Sequence, residues 1–155
     1  MIEIKGPNSC VEFDAAAEIA KKFNDFWPDL KDSPKHKDHV LIKASAKISG
    51  YDREDFDVLI VGNFEQGRIF KPSYPVNDKD GNIVYGKSII IKNFIVAVEV
   101  KDQDQRNIRI SGDSIEHRYP NDLFKWHSTT DQNNEQVGSL RKYFQTQIKD
   151  NIYFH

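Results

Sequence analysis

The sequence predicts a single α/β domain, residues 1–155, with a mixed central sheet flanked by helices. Two segments, 14–26 and 132–149, carry apolar residues at helical spacing. Between them lie three segments rich in β-branched residues that alternate or run apolar as strands do. The order is therefore helix, three strands, hairpin, helix, strand, and a length of 155 residues suits one domain of this class.

The first helix is predicted over 14–26. Asp14 is a suitable N-cap, and the alanines that follow it are strong helix formers. The larger apolar side chains recur on one face: Ile19, Phe23 and Phe26. Pro28 ends the helix, because proline removes a backbone donor and restricts the residue before it.

Three strands are predicted next. Residues 39–49 alternate, and their apolar face holds Val40, Ile42, Ala44, Ala46 and Ile48. Residues 56–61 are apolar on both faces except at Asp57, which is typical of a strand covered on both sides. A third strand region at 89–100, with a break or bulge at Asn93, follows an inserted hairpin or long loop at about 64–90, where glycine and proline recur.

The remaining elements are a hairpin over 107–118 and a helix over 132–149. The helix has one apolar face, and Thr130 or Asp131 is its expected cap. The residues of that face are Val137, Leu140, Phe144 and Ile148. Residues 151–155 resemble the start of a strand, so we expect either a final edge strand or the N-terminal module of a longer protein.

The composition favours a cytoplasmic protein. No run of about 20 apolar residues is present, the N-terminus lacks the layout of a signal peptide, and Cys10 is the single cysteine. The net charge of −2 lowers the expectation of a nucleic-acid partner. A net charge of −2 is still compatible with a local basic face beside an acidic site, because the two would cancel in the total.

An acidic pair on neighbouring strands is the strongest chemical signal in the sequence. Asp57 interrupts an apolar strand, and burial of an unpaired carboxylate is costly unless a cation offsets it. Glu99 and Lys101 lie two residues apart at the end of the most hydrophobic strand, so they share a face. Two carboxylates and the Val100 carbonyl are the hard oxygen ligands that Mg²⁺ prefers. The sequence therefore predicts a metal site at Asp57, Glu99 and Val100, with Lys101 beside it.

Each of these residues also has an ordinary structural interpretation. Asp57 can pair with Arg53 or Lys43, and Glu99 with Lys101 can form a solvated strand end. If the acids are only salt-bridge partners, the chain is a structural α/β domain without this chemistry.

The strand segments 57–61 (DVLIV) and 94–101 (FIVAVEVK) resemble the PD-(D/E)XK nuclease superfamily, and more narrowly its nuclease-related domain (NERD) group. The resemblance implies a restriction-endonuclease-like core that hydrolyses DNA phosphodiester bonds with Mg²⁺ or Mn²⁺. It also implies an acidic residue on the early helix and a glutamine on the late helix. The implied site residues are Glu18, Asp57, Glu99, Lys101 and Gln136.

The chain departs from that family pattern in two places. The link at 64–88 is long for a group that usually joins its catalytic strands by a short turn, and Gln132 to Gln136 reads QNNEQ without the usual proline. The alternative is therefore a catalytically silent nuclease fold that binds nucleic acid or protein within a larger protein. Helicases and kinases are the additional domains that the resemblance implies.

Other motifs are weaker. His36 with His39, and His117 with His127 and Asn133, are spaced for metal or nuclease chemistry but lack supporting flanks. No glycine-rich phosphate loop occurs. Several aromatic residues can stack on bases, and the basic residues that can contact a phosphate backbone are spread over many segments. The aromatic candidates are Tyr74, Tyr85, Phe124 and Trp126.

Overall fold

The computed structural model of the protein describes residues 1–34, 37–50, 54–71, 75–77, 80, 83–85, 88–102 and 105–147. Two helices and nine strands are found there, and neither helix is long and apolar enough to cross a membrane. In chain order the elements are β1 (Ile2–Lys5), α1 (Val11–Phe26), β2 (Asp38–Lys47), β3 (Asp55–Phe70), β4 (Pro75–Asn77), β5 (Ile83–Tyr85), β6 (Ile89–Val98), β7 (Ile108–Ser111), β8 (Ser114–His117), β9 (His127–Ser128) and α2 (Thr129–Gln147), with short 3₁₀ turns at Pro28–Asp32 and Gln105–Asn107.

The main sheet is mixed, as the sequence predicts. Its order is β1-β2-β3-β6; β1 runs parallel to β2, and the other neighbours are antiparallel. A two-stranded sheet, β4-β5, lies within the predicted insertion, and a three-stranded sheet, β7-β8-β9, precedes α2. The mixed α/β class is thus confirmed.

The two helices cover opposite faces of the main sheet, because successive strand residues point to opposite sides. Ala16 and Ala20 of α1 are buried in one cluster with Val58 and Ile60 of β3. Leu140 of α2 packs in a second cluster with residues from the alternate positions of the strands, including Leu59 and Ala97. The predicted apolar face of β2 is confirmed for Val40, Ile42 and Ala44, which are buried in the first cluster. Ala46 and Ile48 were expected on that face but belong to the second cluster, and Ser45, whose φ is 51°, lies at the point where the strand changes side.

Close packing between β3 and β6 requires a glycine. Gly62 pairs with Phe94, and a Cβ atom at position 62 would lie 2.0 Å from Phe94 Cε1. The Phe94 ring occupies the space that any larger residue at position 62 would need.

Helix boundaries differ from the sequence prediction. The first helix begins at Val11, so Cys10, and not Asp14, is the N-cap residue. The two acids of its first turn, Glu12 and Asp14, suit the positive end of the helix dipole. The late helix begins at Thr129, and the Asp131 N–H donates to Ser128 Oγ at 3.0 Å. Ser128 is therefore the residue that caps this helix, whereas Thr130 or Asp131 was expected in that role.

The strands also differ from the prediction. Strand β1 was not predicted, and β3 continues to Phe70 through a segment that reads as a loop. A register shift between Asn63 and Arg68 lies opposite Asn93, where a break was expected. The Arg68 guanidinium, 12% exposed, donates to Asp29 and Asp38 and anchors this extension. The expected strand at 151–155 lies outside the described residues.

Candidate active site

The structure brings Asp57 and Glu99 to neighbouring strands. Val58 pairs with Val98 in the antiparallel β3–β6 ladder, so Asp57 and Glu99 occupy the next opposed positions. β6 ends at Val98, and the chain then turns so that the Val100 N–H donates to Asp57 Oδ2 at 2.8 Å. The end of one strand is therefore tied to the carboxylate of the other.

Glu99 is held by a buried polar cluster. Its side chain is 4% exposed, and the Lys101 ammonium, 18% exposed, lies 2.5 Å from Glu99 Oε1. Gln132 and Gln136 of α2 add two amide donors: Gln132 Nε2 to Oε1, and Gln136 Nε2 to Oε2 at 2.8 Å. Their spacing of four residues puts both on one helix face. Glu99 is thus no solvated strand end.

The hydrogen bonds leave defined lone pairs for a ligand. A carboxylate offers about four lone-pair sites. Glu99 Oε1 accepts from Lys101 and Gln132, whereas Glu99 Oε2 accepts from Gln136 alone. Asp57 Oδ2 accepts from the backbone. Among these contacts, acceptor capacity remains on Glu99 Oε2 and on Asp57 Oδ1, so each carboxylate could still bind a ligand.

The surroundings of Asp57 disfavour the charged form of its carboxyl. Partial burial raises the pKa of its carboxyl above the ordinary value, and the negative charges of Glu99 and Glu12 raise it further. The Val100 N–H and the Lys101 charge lower the pKa and oppose that shift. A cation beside Asp57 would relieve both the desolvation and the repulsion.

The two acids of α1 differ in their relation to the pair. Glu12 is near enough for its negative charge to contribute to the raised pKa of Asp57, whereas Glu18 is exposed and has no described contact with the acidic pair. Six positions of helix separate them, which is about 9 Å along the axis and a different face. Glu12 precedes the helix start that the sequence predicted, and the role expected of Glu18 stays a prediction.

His117 of β8 is a second residue that the prediction did not place in this site. It is 1% exposed; its Nδ1 lies 2.9 Å from Thr129 Oγ1, and its Nε2 has no hydrogen-bond partner. Burial lowers the pKa of the imidazole, and the nearby Lys101 and His127 charges lower it further. Burial and the neighbouring positive charges therefore favour the neutral form of His117. The suggested His36–His39 site lies partly outside the described residues, and His39 Nε2 contacts Glu3 at 3.2 Å.

Asp57 has a backbone partner, Val100, in place of the lysine suggested from the sequence. Within the described part of the chain, Asp57 and Lys43 form no ion pair, and Lys43 is exposed; Arg53 lies outside that part. The same residues contain no group of three or more His, Cys, Asp and Glu side chains arranged to hold a metal ion. Among the described residues, a cation at this position would therefore have two carboxylates as its side-chain ligands.

Comparison with known protein families, with curated proteins and with solved structures gave no match to this chain. Its function must therefore be argued from its own residues.

Proposed function

We propose that the chain is a metal-dependent nuclease domain with a restriction-endonuclease-like core that hydrolyses DNA phosphodiester bonds. One observation carries the proposal: the partly buried Asp57 carboxylate and the buried Glu99 occupy the next opposed positions at the end of two neighbouring strands, with the Lys101 ammonium beside Glu99. Partly buried acids with a charged neighbour are frequent at functional sites. The resemblance of the two strand motifs to PD-(D/E)XK nucleases supports the same reaction class.

In this proposal Asp57, Glu99 and the Val100 carbonyl hold Mg²⁺ or Mn²⁺. The ion supplies Lewis-acid stabilisation of the charge that grows on the phosphate oxygens. Lys101 has three N–H donors, of which Glu99 and Gln132 take two. The third can hold the attacking water or a phosphate oxygen. Gln132 and Gln136 are positioning residues, because they act by fixing the Glu99 carboxylate.

The test is cleavage of single-stranded, duplex and branched DNA in the presence of Mg²⁺. We expect Asp57→Ala and Lys101→Ala to lose about 100-fold or more in rate, the usual cost of removing an electrostatic group from a reaction site. Asp55→Ala is the matched control, because Asp55 lies on the same strand but is 73% exposed and pairs with Lys47. Equal cleavage by all four proteins would refute the assigned roles.

The second candidate function is a catalytically silent nuclease fold that binds nucleic acid or a partner protein, such as an attached helicase or kinase domain. The observation that favours it is the two-carboxylate site, since Glu99 already has three protein donors. Calorimetric titration with Mg²⁺ and Mn²⁺ separates the two candidates. Saturable heat that is lost in Asp57→Ala supports the nuclease, and its absence in the wild-type protein supports the silent module.

A further inference from the structure

An exposed apolar pair forms the corner of a tight turn beside the small β7-β8-β9 sheet. The Lys125 N–H donates to the Asp122 carbonyl at 3.4 Å, so Leu123 and Phe124 are the two central residues of this turn. Phe124 is 100% exposed and Leu123 is 49% exposed. Turn corners usually hold glycine, proline, asparagine, aspartate or serine. Nothing in the fold accounts for a phenylalanine at this place.

Arg118 holds the turn in place. Its Nε donates to Asn107 Oδ1 at 3.0 Å, its Nη1 to the Leu123 carbonyl at 3.3 Å, and its Nη2 to the Arg106 carbonyl at 3.3 Å. The guanidinium also lies 5.0 Å from the centre of the Trp126 ring. This contact also fixes Trp126, which follows the turn. Phe124 is presented on an ordered support and is not at the tip of a free chain.

The segment around the turn carries a small excess of basic residues. Four of residues 105–127 are Arg or Lys and three are Asp or Glu, in a chain whose net charge is −2. The Arg109 guanidinium lies over Trp126 at 4.1 Å from the ring centre. Of the acids, Glu116 pairs with Arg109, and Asp122 is the first residue of the turn itself. An anionic ligand therefore fits this edge better than it fits the chain as a whole.

A chain of contacts links the turn to the acidic pair. The Tyr119 ring packs edge-on against His117, with ring centres 5.0 Å apart, and His117 Nδ1 lies 2.9 Å from Thr129 Oγ1 in the first turn of α2, the helix whose Gln132 donates to Glu99. The Asp122 N–H donates to the Tyr119 carbonyl at 3.0 Å. A continuous path of contacts thus joins the acidic pair to the turn.

We propose that Phe124 is a stacking platform for an unpaired base of a DNA strand whose backbone runs past the Asp57–Glu99 pair. Stacking on an exposed aromatic ring beside basic side chains is how proteins bind single strands without reading sequence. A base within a uniform duplex has both faces covered by its neighbours. The substrate class is therefore DNA with a single-stranded segment next to the cut, and this inference rests on the proposed nuclease function.

The test measures binding of a fluorescently labelled 20-nucleotide thymidine strand, and of a duplex of the same length, by anisotropy in EDTA. We expect Phe124→Ala to weaken single-strand binding about 5- to 100-fold, the range for loss of one stacked base. Phe124→Trp should stay within about threefold of wild type, because an indole also stacks. Ile90→Ala is the matched control, since Ile90 is 71% exposed on the other sheet.

Several outcomes would overturn the inference: Phe124→Ala binding as wild type does, an equal loss in Ile90→Ala, tighter binding of the duplex by the wild type, or no binding of either DNA. A change of oligomeric state in Phe124→Ala with unchanged DNA binding would point to a protein partner and would also overturn it. A parallel Mg²⁺ cleavage assay separates the two proposals. If single-strand binding depends on Phe124 but no DNA is cleaved, the stacking platform is supported and the nuclease function is refuted. If DNA is cleaved but Phe124→Ala binds as tightly as the wild type, the nuclease function is supported and the stacking platform is refuted.

Discussion

Replacement of Lys101 by methionine should destabilise the fold by about 3 kcal/mol, because it leaves the Glu99 carboxylate buried without its cation. The Glu99 side chain is 4% exposed, and the ammonium lies 2.5 Å from it. Removal of one partner of a buried ion pair costs about 3–5 kcal/mol. Gln132 and Gln136 still donate to Glu99 in the variant, which places the expected loss at the low end.

For a domain of this size a loss of about 3 kcal/mol lowers Tm by about 6–12 °C. Urea unfolding followed by circular dichroism measures the free energy, and a thermal scan measures Tm. The double variant Glu99→Gln/Lys101→Met is the control: without the carboxylate charge, most of the loss should be recovered. If Tm decreases by less than about 2 °C in Lys101→Met, or if the double variant recovers none of the lost stability, then Glu99 is not a buried carboxylate that depends on Lys101 for its charge balance.

Four further predictions concern the stability of the fold. Gly62→Ala should destabilise the protein by about 2–3 kcal/mol in urea, since its Cβ would overlap the Phe94 ring; Gly138→Ala, with open space in α2, should stabilise it by about 0.5–1 kcal/mol. Arg68→Lys should lower the free energy of unfolding by about 1–2 kcal/mol, because a lysine cannot reproduce the fork that binds two aspartates. Between pH 7.5 and 5.5 the wild type should lose more stability than His117→Asn.

The sign of the pH effect follows from the direction of the shift. Burial lowers the pKa of His117 in the folded state, so the unfolded chain binds more protons below the ordinary histidine pKa of about 6.5. Stability is therefore lost as the pH falls, and the variant lacks this contribution. Equal slopes of stability against pH in the two proteins would contradict the neutral, buried imidazole. For Gly62→Ala and Arg68→Lys, unfolding free energies equal to wild type would contradict the packing and the ion-pair network, respectively.

The juxtaposition of Asp57 and Glu99 could be predicted because strand alternation is a local property. An acid inside an apolar run and an acid at the end of another run mark their positions without any knowledge of the fold. Antiparallel pairing of adjacent strands then brings them together. Gln136 was expected from the family resemblance, and helical spacing of four residues would also have indicated Gln132.

The parts that could not be predicted depend on boundaries and on distant contacts. Glu12 lay outside the predicted helix because α1 begins at Val11, and Cys10, its N-cap residue, makes no side-chain cap hydrogen bond that would mark the start. Strand β1 has four residues and owes its place to parallel pairing with β2, which leaves no signature in so short a segment. His117 reaches the site through the three-stranded sheet, and its weak flanking pattern gave no indication that it would be buried.

The central claim is that Asp57 and Glu99 share one divalent cation, and thermal unfolding of the wild type and of Asp57→Asn tests it most directly. In EDTA, Asp57→Asn should melt at the same temperature as the wild type or higher, because a desolvated charge is removed. With about 10 mM Mn²⁺ and a Kd near 1 mM, the wild type should gain about 1.4 kcal/mol, or about 3–5 °C, and the variant should gain nothing. A lower Tm of Asp57→Asn in EDTA, together with no effect of metal on the wild type, would contradict the claim.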